Sequence, residues 1–158
     1  MQRAYLISSG VIGCFFCLML QVLSAAAEVK PSVQPPNEKD DRTEILLPAS
    51  GQILILREMR QMLMATQAVI TGLSLDDMSL VERSARSAGV SMAADIDPAV
   101  REKLPQTFRG IGMSVHRDFD ALADGIVERE TVQQILTRLS SLMSRCITCH
   151  ENYRLSSR

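Results

Sequence analysis

The chain carries two thiols and an imidazole within five consecutive residues near its C-terminal end. The segment reads Cys146-Ile147-Thr148-Cys149-His150, which is the pattern C-x-x-C-H. On an α-helix, residues three and four positions apart share a face, so Cys146, Cys149 and His150 can point toward one flat partner. C-x-x-C-H is the attachment sequence of c-type haem, in which the thiols bond to the porphyrin and the imidazole reaches the iron. The motif therefore predicts one haem c per chain, bound covalently through Cys146 and Cys149, with His150 as the proximal iron ligand.

Two other uses of paired cysteines compete with this interpretation, a thioredoxin-like redox pair and half of a zinc site. A thioredoxin-like pair opens a helix after a strand, whereas this motif lies near the end of a long helical pattern. A zinc site needs further ligands at matching spacing, and the only other histidine in the chain is His116. The remaining cysteines, Cys14 and Cys17, lie in an N-terminal segment that we predict to be removed. The spacing therefore favours haem attachment.

The N-terminal residues have the pattern of a secretory signal peptide. Arg3 is the only charged residue before an apolar stretch over 11–22, and the small residues of 24–27 follow. This order predicts cleavage after Ala27 and a periplasmic location. The alternatives are a retained membrane anchor, for which the apolar stretch is short, and a lipoprotein joined through Cys14, whose apolar lead-in is very short.

The segment after the predicted cleavage site has the composition of a linker. Residues 28–47 are rich in proline and charge and have no helical or alternating period. We therefore predict a signal peptide over 1–27, a flexible tether over 28–47 and one domain over 48–158. The formal net charge of the chain is −1 and no basic stripe is present, so the sequence does not indicate nucleic-acid binding.

Four segments of helical periodicity follow the predicted tether, and each has its own start or stop signals. No stretch of alternating β-branched residues interrupts them. Four amphipathic helices with mostly short links are typical of an antiparallel four-helix bundle, so the predicted fold is all-α with the motif near the C-terminus of the last helix. The predicted helices run from about Ser50 to just before Gly72, from Asp76 and Asp77 to about Ala88, from Pro105 to near Gly125, and from Glu130 and Thr131 through the motif.

Helical spacing also predicts which positions face the core. The chain has no Trp and few Phe and Tyr, so a buried porphyrin would supply the large apolar surface that aromatic side chains otherwise provide. The predicted core positions are Leu56, Met59, Leu63, Ile70 and Leu73 in the first helix, Phe108, Ile111, Val115, Phe119 and Leu122 in the third, and Ile135, Leu139, Leu142, Met143 and Tyr153 beside the motif in the fourth.

The first and last helices of such a bundle can face one haem from opposite sides. Met59 lies in the centre of the first predicted stripe and is our candidate for the distal iron ligand, with Met62 second; core packing is the alternative, since methionine fills irregular gaps. Arg57 and Arg60 are candidates for contacts with the haem propionates, and the alternative is a solvated helix face. His116 is a candidate ligand or proton carrier, against the alternative of a hydrogen-bonded buried histidine.

The chain resembles the class II cytochromes c, the cytochrome c-prime family with its low-spin relatives, over nearly all of the predicted mature region. The resemblance rests on the signal peptide, the four helices and a C-x-x-C-H motif close to the C-terminus that continues as Glu151-Asn152-Tyr153-Arg154. It implies that the sixth iron position faces the first helix and is either filled by a methionine or left open. A family arginine precedes the distal residue by four positions, and Arg60 and Met64 have that spacing. The resemblance also implies homodimers through the first two helices as an alternative to a monomer.

The state of the sixth position separates two functions. A filled position makes an electron carrier, because the ligands barely change on reduction, whereas an open one binds small gases such as nitric oxide or carbon monoxide. No nucleophile-base pair, paired carboxylate motif or glycine-rich phosphate loop is present, so the sequence does not indicate an enzyme. We therefore expect a periplasmic electron carrier, with periplasmic or membrane redox proteins and the cytochrome c maturation machinery as partners.

Overall fold

The computed structural model describes residues 39–94 and 96–157, and this part of the chain is mostly helical, as the sequence predicts. The predicted signal peptide and residues 28–38 of the predicted tether lie outside the described residues. The elements in chain order are β1 (Thr43–Leu47), α1 (Ala49–Ser74), α2 (Met78–Ser87), α3 (Val90–Ala94), α4 (Pro98–Arg101), α5 (Gln106–Val127), α6 (Val132–Asn152) and β2 (Tyr153–Ser157).

Side-chain caps explain where several helices begin. The Asp77 carboxylate accepts a hydrogen bond from the Leu80 amide at 2.9 Å and starts α2. Thr131 starts α6 through a capping box with Gln134, in which each side chain bonds the other residue's backbone N–H. These caps satisfy amides that the first turn of a helix leaves without partners. The helix starts predicted near Asp76 and Asp77 and at Thr131 are confirmed.

The first helix ends later than predicted, because Gly72 is a close-packing position and not the end of the helix. Helix α1 continues through this glycine to Ser74, because Gly72 lies against α2 rather than in a turn. A Cβ atom at Gly72 would come within 2.7 Å of the Val81 side chain. The absence of a side chain at Gly72 therefore allows α1 and α2 to approach closely, and α1 ends only after Ser74.

The predicted core stripe of α1 is correct at Met59 and Leu73, which pack against the apolar clusters, and wrong at Leu63 and Ile70. Leu63 is 68% exposed and Ile70 is 50% exposed, whereas Val69 is completely buried. Four consecutive apolar residues at 53–56 leave the helical phase poorly determined, and small side chains decide which face comes closest to α2. The buried positions of α1 are Gly51, Ile55, Ala65, Thr66, Val69 and Gly72.

A short parallel strand pair corrects the predicted tether and the predicted end of the last helix. Residues Thr43–Leu47 form β1 instead of flexible chain, and Tyr153 opens β2 instead of lying on the apolar face of α6. The pairing places Thr43 opposite Tyr153. Ile45 and Leu47 are buried and alternate with exposed residues, which is the period of a strand with one covered face.

The apolar residues form two clusters. The larger one joins α1, α2, α5 and α6 and includes Phe119 and Leu122, which are fully buried as predicted. The smaller one joins β1 and β2 to the starts of α1 and α5, around Phe108. Helix α2 packs against α1 and α5, and α6 packs against α5. Among the described helices, none has an apolar stretch long enough to cross a membrane.

Candidate functional site

The C-x-x-C-H motif occupies the last turns of α6. The buried residues Ile135, Leu139 and Leu142 lie on the same face of this helix, so the core fixes its rotation before the motif begins. Cys146 packs against the larger apolar cluster and Cys149 against the smaller one. Both cysteines are half-buried free thiols. The two thiols therefore lie where the two clusters meet.

A cavity of about 410 Å³ lies beside the motif and is walled by three helices. Its volume falls within the range of about 300–1,000 Å³ that is typical of small-molecule and cofactor sites. Apolar side chains make up most of the wall, and Cys146, Cys149 and His150 border it from α6. The other lining residues include Ile55, Leu56, Met62, Leu63 and Thr66 from α1 and Phe108, Ile111, Val115 and Phe119 from α5.

The structure brings together some of the predicted distal residues and leaves others away from the cavity. Met59, Met62 and Arg60 line the cavity from α1, across from the motif. Arg57 is exposed and does not line it. Met64 is 69% exposed and is also outside the lining, so the spacing of Arg60 and Met64 does not place that methionine at the cavity.

The electrostatic state of the two thiols bears on the choice between attachment and redox exchange. Burial raises the pKa of Cys146 and of Cys149 above the ordinary value of a thiol. A reactive redox cysteine has a lowered pKa, because the thiolate is the nucleophile, and it commonly lies at the N-terminus of a helix. These thiols lie instead near the C-terminal end of α6, where the helix dipole disfavours negative charge. Burial and the helix dipole therefore both disfavour the thiolate form.

Residues from distant parts of the chain contact the end of α6 and hold it in place. The guanidinium of Arg42 donates a hydrogen bond to the His150 carbonyl oxygen at 3.3 Å. The rings of Phe108 and Tyr153 meet edge to face with centroids 5.4 Å apart, and the hydroxyl groups of Tyr153 and Thr107 are 2.7 Å apart. Arg42, just before β1, thus contacts the last turn of α6 at His150, and Tyr153, just after α6, contacts the start of α5.

His116 and Glu58 form a polar pair in the wall of the cavity. His116 is only 3% exposed, and its Nε2 atom is 3.1 Å from Oε1 of Glu58 on α1. Its Nδ1 atom is 2.7 Å from the carbonyl oxygen of Ala88 at the end of α2. Burial by itself lowers the pKa of His116, but hydrogen bonding to Glu58 and to Ala88 outweighs it and leaves the pKa above its ordinary value. Glu58 was not a predicted site residue, because nothing in the sequence alone pairs it with His116.

The described residues 39–94 and 96–157 contain no group of three or more His, Cys, Asp and Glu side chains placed to hold a metal ion. Comparisons of the chain with known protein families, with curated proteins and with solved structures found no match.

Proposed function

We propose that the chain is a periplasmic c-type cytochrome that carries electrons between redox partners through one covalent haem enclosed by an antiparallel four-helix bundle. The observation that carries this proposal is the common position of Cys146, Cys149 and His150 on the border of one apolar cavity. The four helices of this bundle are α1, α2, α5 and α6. The resemblance to the class II cytochromes c points in the same direction.

The chemistry of the cavity wall fits a porphyrin. A porphyrin is a flat, mainly apolar group, and the cavity is bounded mainly by aliphatic and aromatic side chains. A neutral thiol can add across a vinyl group, so that sulfur bonds to one carbon, the proton goes to the other and no oxidant is required. The raised pKa of both cysteines argues against an activated thiol-exchange pair.

Residues that could ligate iron line the cavity from two different helices. His150 on α6 is the proximal ligand in this proposal, and Met59 on α1 is the distal ligand, with Met62 as second choice. Histidine and methionine ligation raises the potential of haem iron and suits it to electron transfer. Arg60 is the better placed of the two candidate arginines for a propionate contact, since Arg57 does not reach the cavity wall.

Covalent attachment is tested by producing the exported protein in cells that have a cytochrome c maturation system. We expect haem to stay with the polypeptide through acid-acetone extraction and denaturing electrophoresis, because thioether bonds survive both. The Cys146→Ala/Cys149→Ala double variant should carry no covalent haem. The matched control is Cys14→Ala/Cys17→Ala, which should retain it because these cysteines lie in the predicted signal peptide. Haem that can be extracted from the wild-type protein would contradict the proposal.

The ligation state separates electron transfer from gas binding. A low-spin ferric spectrum with a methionine-to-iron charge-transfer band supports the electron carrier. A high-spin spectrum, with ready binding of carbon monoxide to the reduced protein, would replace it with the gas-binding alternative.

A further inference from the structure

Helix α1 has few direct neighbours on the side that faces the cavity. Its backbone packs closely against α2 and does not pack closely against α5 or α6. The cavity separates α1 from the motif, so backbone packing does not fix how far α1 stands from it. Side chains of the two apolar clusters hold α1 to α5 and α6, and a polar side-chain link beside the cavity would add a directional contact near the distal residues.

The pair formed by Glu58 and His116 is such a link. His116 on α5 is joined through Nδ1 to the Ala88 carbonyl oxygen at 2.7 Å and lies with Nε2 3.1 Å from Glu58 on α1. Because a carbonyl oxygen only accepts, Nδ1 must donate, and this fixes the orientation of the ring. The imidazole of His116 on α5 therefore contacts both α1 and the end of α2 through its two ring nitrogens.

Removing two polar side chains from water is costly, so a buried pair of this kind calls for a structural or functional explanation. The side chains of His116 and Glu58 are 4% and 12% exposed. A buried ion pair adds little stability compared with apolar side chains of similar size, and its best-attested use is to fix the register of the elements it joins. The two atoms lie 3.1 Å apart but are not well aligned for a hydrogen bond, so attraction between the ring and the carboxylate is the main part of this contact.

The position of Glu58 determines what the pair fixes. Glu58 directly precedes Met59, and both line the cavity. Holding the Glu58 side chain against α5 therefore sets the rotation and depth of α1 at Met59. Met62, the second choice, lies four residues after Glu58, just over one helical turn along α1.

We propose that Glu58 and His116 are positioning residues that hold Met59 at the distance from which its sulfur ligates the haem iron. This inference rests on the proposed function. Neither residue touches the iron, and both act through the backbone of α1.

The experiment measures how well an added ligand competes with Met59. Imidazole is titrated into the ferric holoprotein, and its apparent affinity reports the strength of the methionine bond that it displaces. Glu58→Leu and His116→Phe should each bind imidazole about tenfold more tightly than the wild type, a ratio that corresponds to about 1.4 kcal/mol. Glu58→Gln, whose amide can still bond to the ring, should lie close to the wild type. Gln61→Ala is the matched control on an exposed position of α1 outside the cavity and should show no change.

A second background separates positioning from a general change of the cavity. In Met59→Leu there is no methionine bond left to weaken, so adding Glu58→Leu should leave the imidazole affinity unchanged. An equal tenfold gain in that background would overturn the proposal, because the pair would then act on the cavity and not through Met59. Where His116→Phe does not accumulate, Glu58→Leu in both backgrounds decides the question.

The outcomes also separate this inference from the proposed function. A wild-type protein without covalent haem rejects the proposed function. Covalent haem with a methionine charge-transfer band, but with no change of imidazole affinity in Glu58→Leu, rejects only the positioning role. Covalent haem without that band also rejects the positioning role and leaves the attachment in place.

Discussion

Adjacent residues Val69 and Ile70 of α1 provide a direct test of how this helix is turned toward the core. Val69 is completely buried and Ile70 is 50% exposed, although the apolar spacing of the sequence predicts Ile70 in the core. Val69→Ala removes two buried methyl groups, at about 0.8 kcal/mol each, and leaves a small void. The void adds about 1 kcal/mol and the higher helix propensity of alanine returns about 0.5 kcal/mol, so the net destabilisation should be about 2 kcal/mol. Ile70→Ala should change the free energy of unfolding by less than about 0.5 kcal/mol, as exposed substitutions usually do.

The assay is urea unfolding of the holoprotein followed by far-ultraviolet circular dichroism. A difference of about 2 kcal/mol between the two variants corresponds to about 8 °C in Tm for a domain of this size. Measurements at two protein concentrations separate folding from self-association, since Ile70→Ala would also be destabilising if Ile70 were covered by a second copy of the chain. The described orientation of α1 would be refuted if Ile70→Ala were as destabilising as Val69→Ala at both concentrations.

Three further predictions concern the site. Met59→Leu should abolish the methionine charge-transfer band and allow the reduced protein to bind carbon monoxide, whereas Met62→Leu should retain the band; the reverse result would exchange the two assignments. The pKa of His116 is raised above 6.5 in the folded protein, so its contribution to stability is complete below that pH and is lost as the pH rises through the folded-state pKa. Urea unfolding from about pH 6 upwards should therefore show a loss of stability in the wild type that His116→Phe lacks, and parallel curves would contradict the raised pKa. In the haem-free protein, burial raises the pKa of Cys146 and Cys149, so iodoacetamide should modify them more slowly than glutathione at the same pH; faster modification would indicate an activated redox pair.

The structure could be predicted from the sequence where a single local signal, such as a helix cap or one clear apolar face, determines it. Capping residues such as Asp77 and Thr131 mark helix starts through local hydrogen bonds, and these starts were predicted correctly. The third predicted helix has one clear apolar face, and its members Phe108 and Phe119 are buried. In these places local chemistry and the tertiary fold favour the same answer.

The remaining features depend on contacts that periodicity does not contain. The rotation of α1 is set by its approach to α2 at Gly72 and by the small side chains beside it. Strand β1 was missed because its partner lies more than a hundred residues away and Tyr153 also fits a helical spacing. Glu58 pairs with His116 only because the fold brings α1 and α5 together, so the sequence indicates the histidine as a candidate but not the glutamate.

The order in which the chain folds follows from the strand pair. A parallel pair of two short strands is marginal alone, and its closure entropy grows with the length of chain between them. The pairing of Thr43 with Tyr153 therefore waits until the intervening helices have packed, so β1 and β2 should be the last elements to form and the first to open. Native-state amide exchange should show this as faster opening of the two strands than of α5. Such an opening would loosen the last turn of α6 and release Cys149 from the smaller cluster, while Cys146 stays packed against the larger one, so a thiol reagent would reach Cys149 before Cys146.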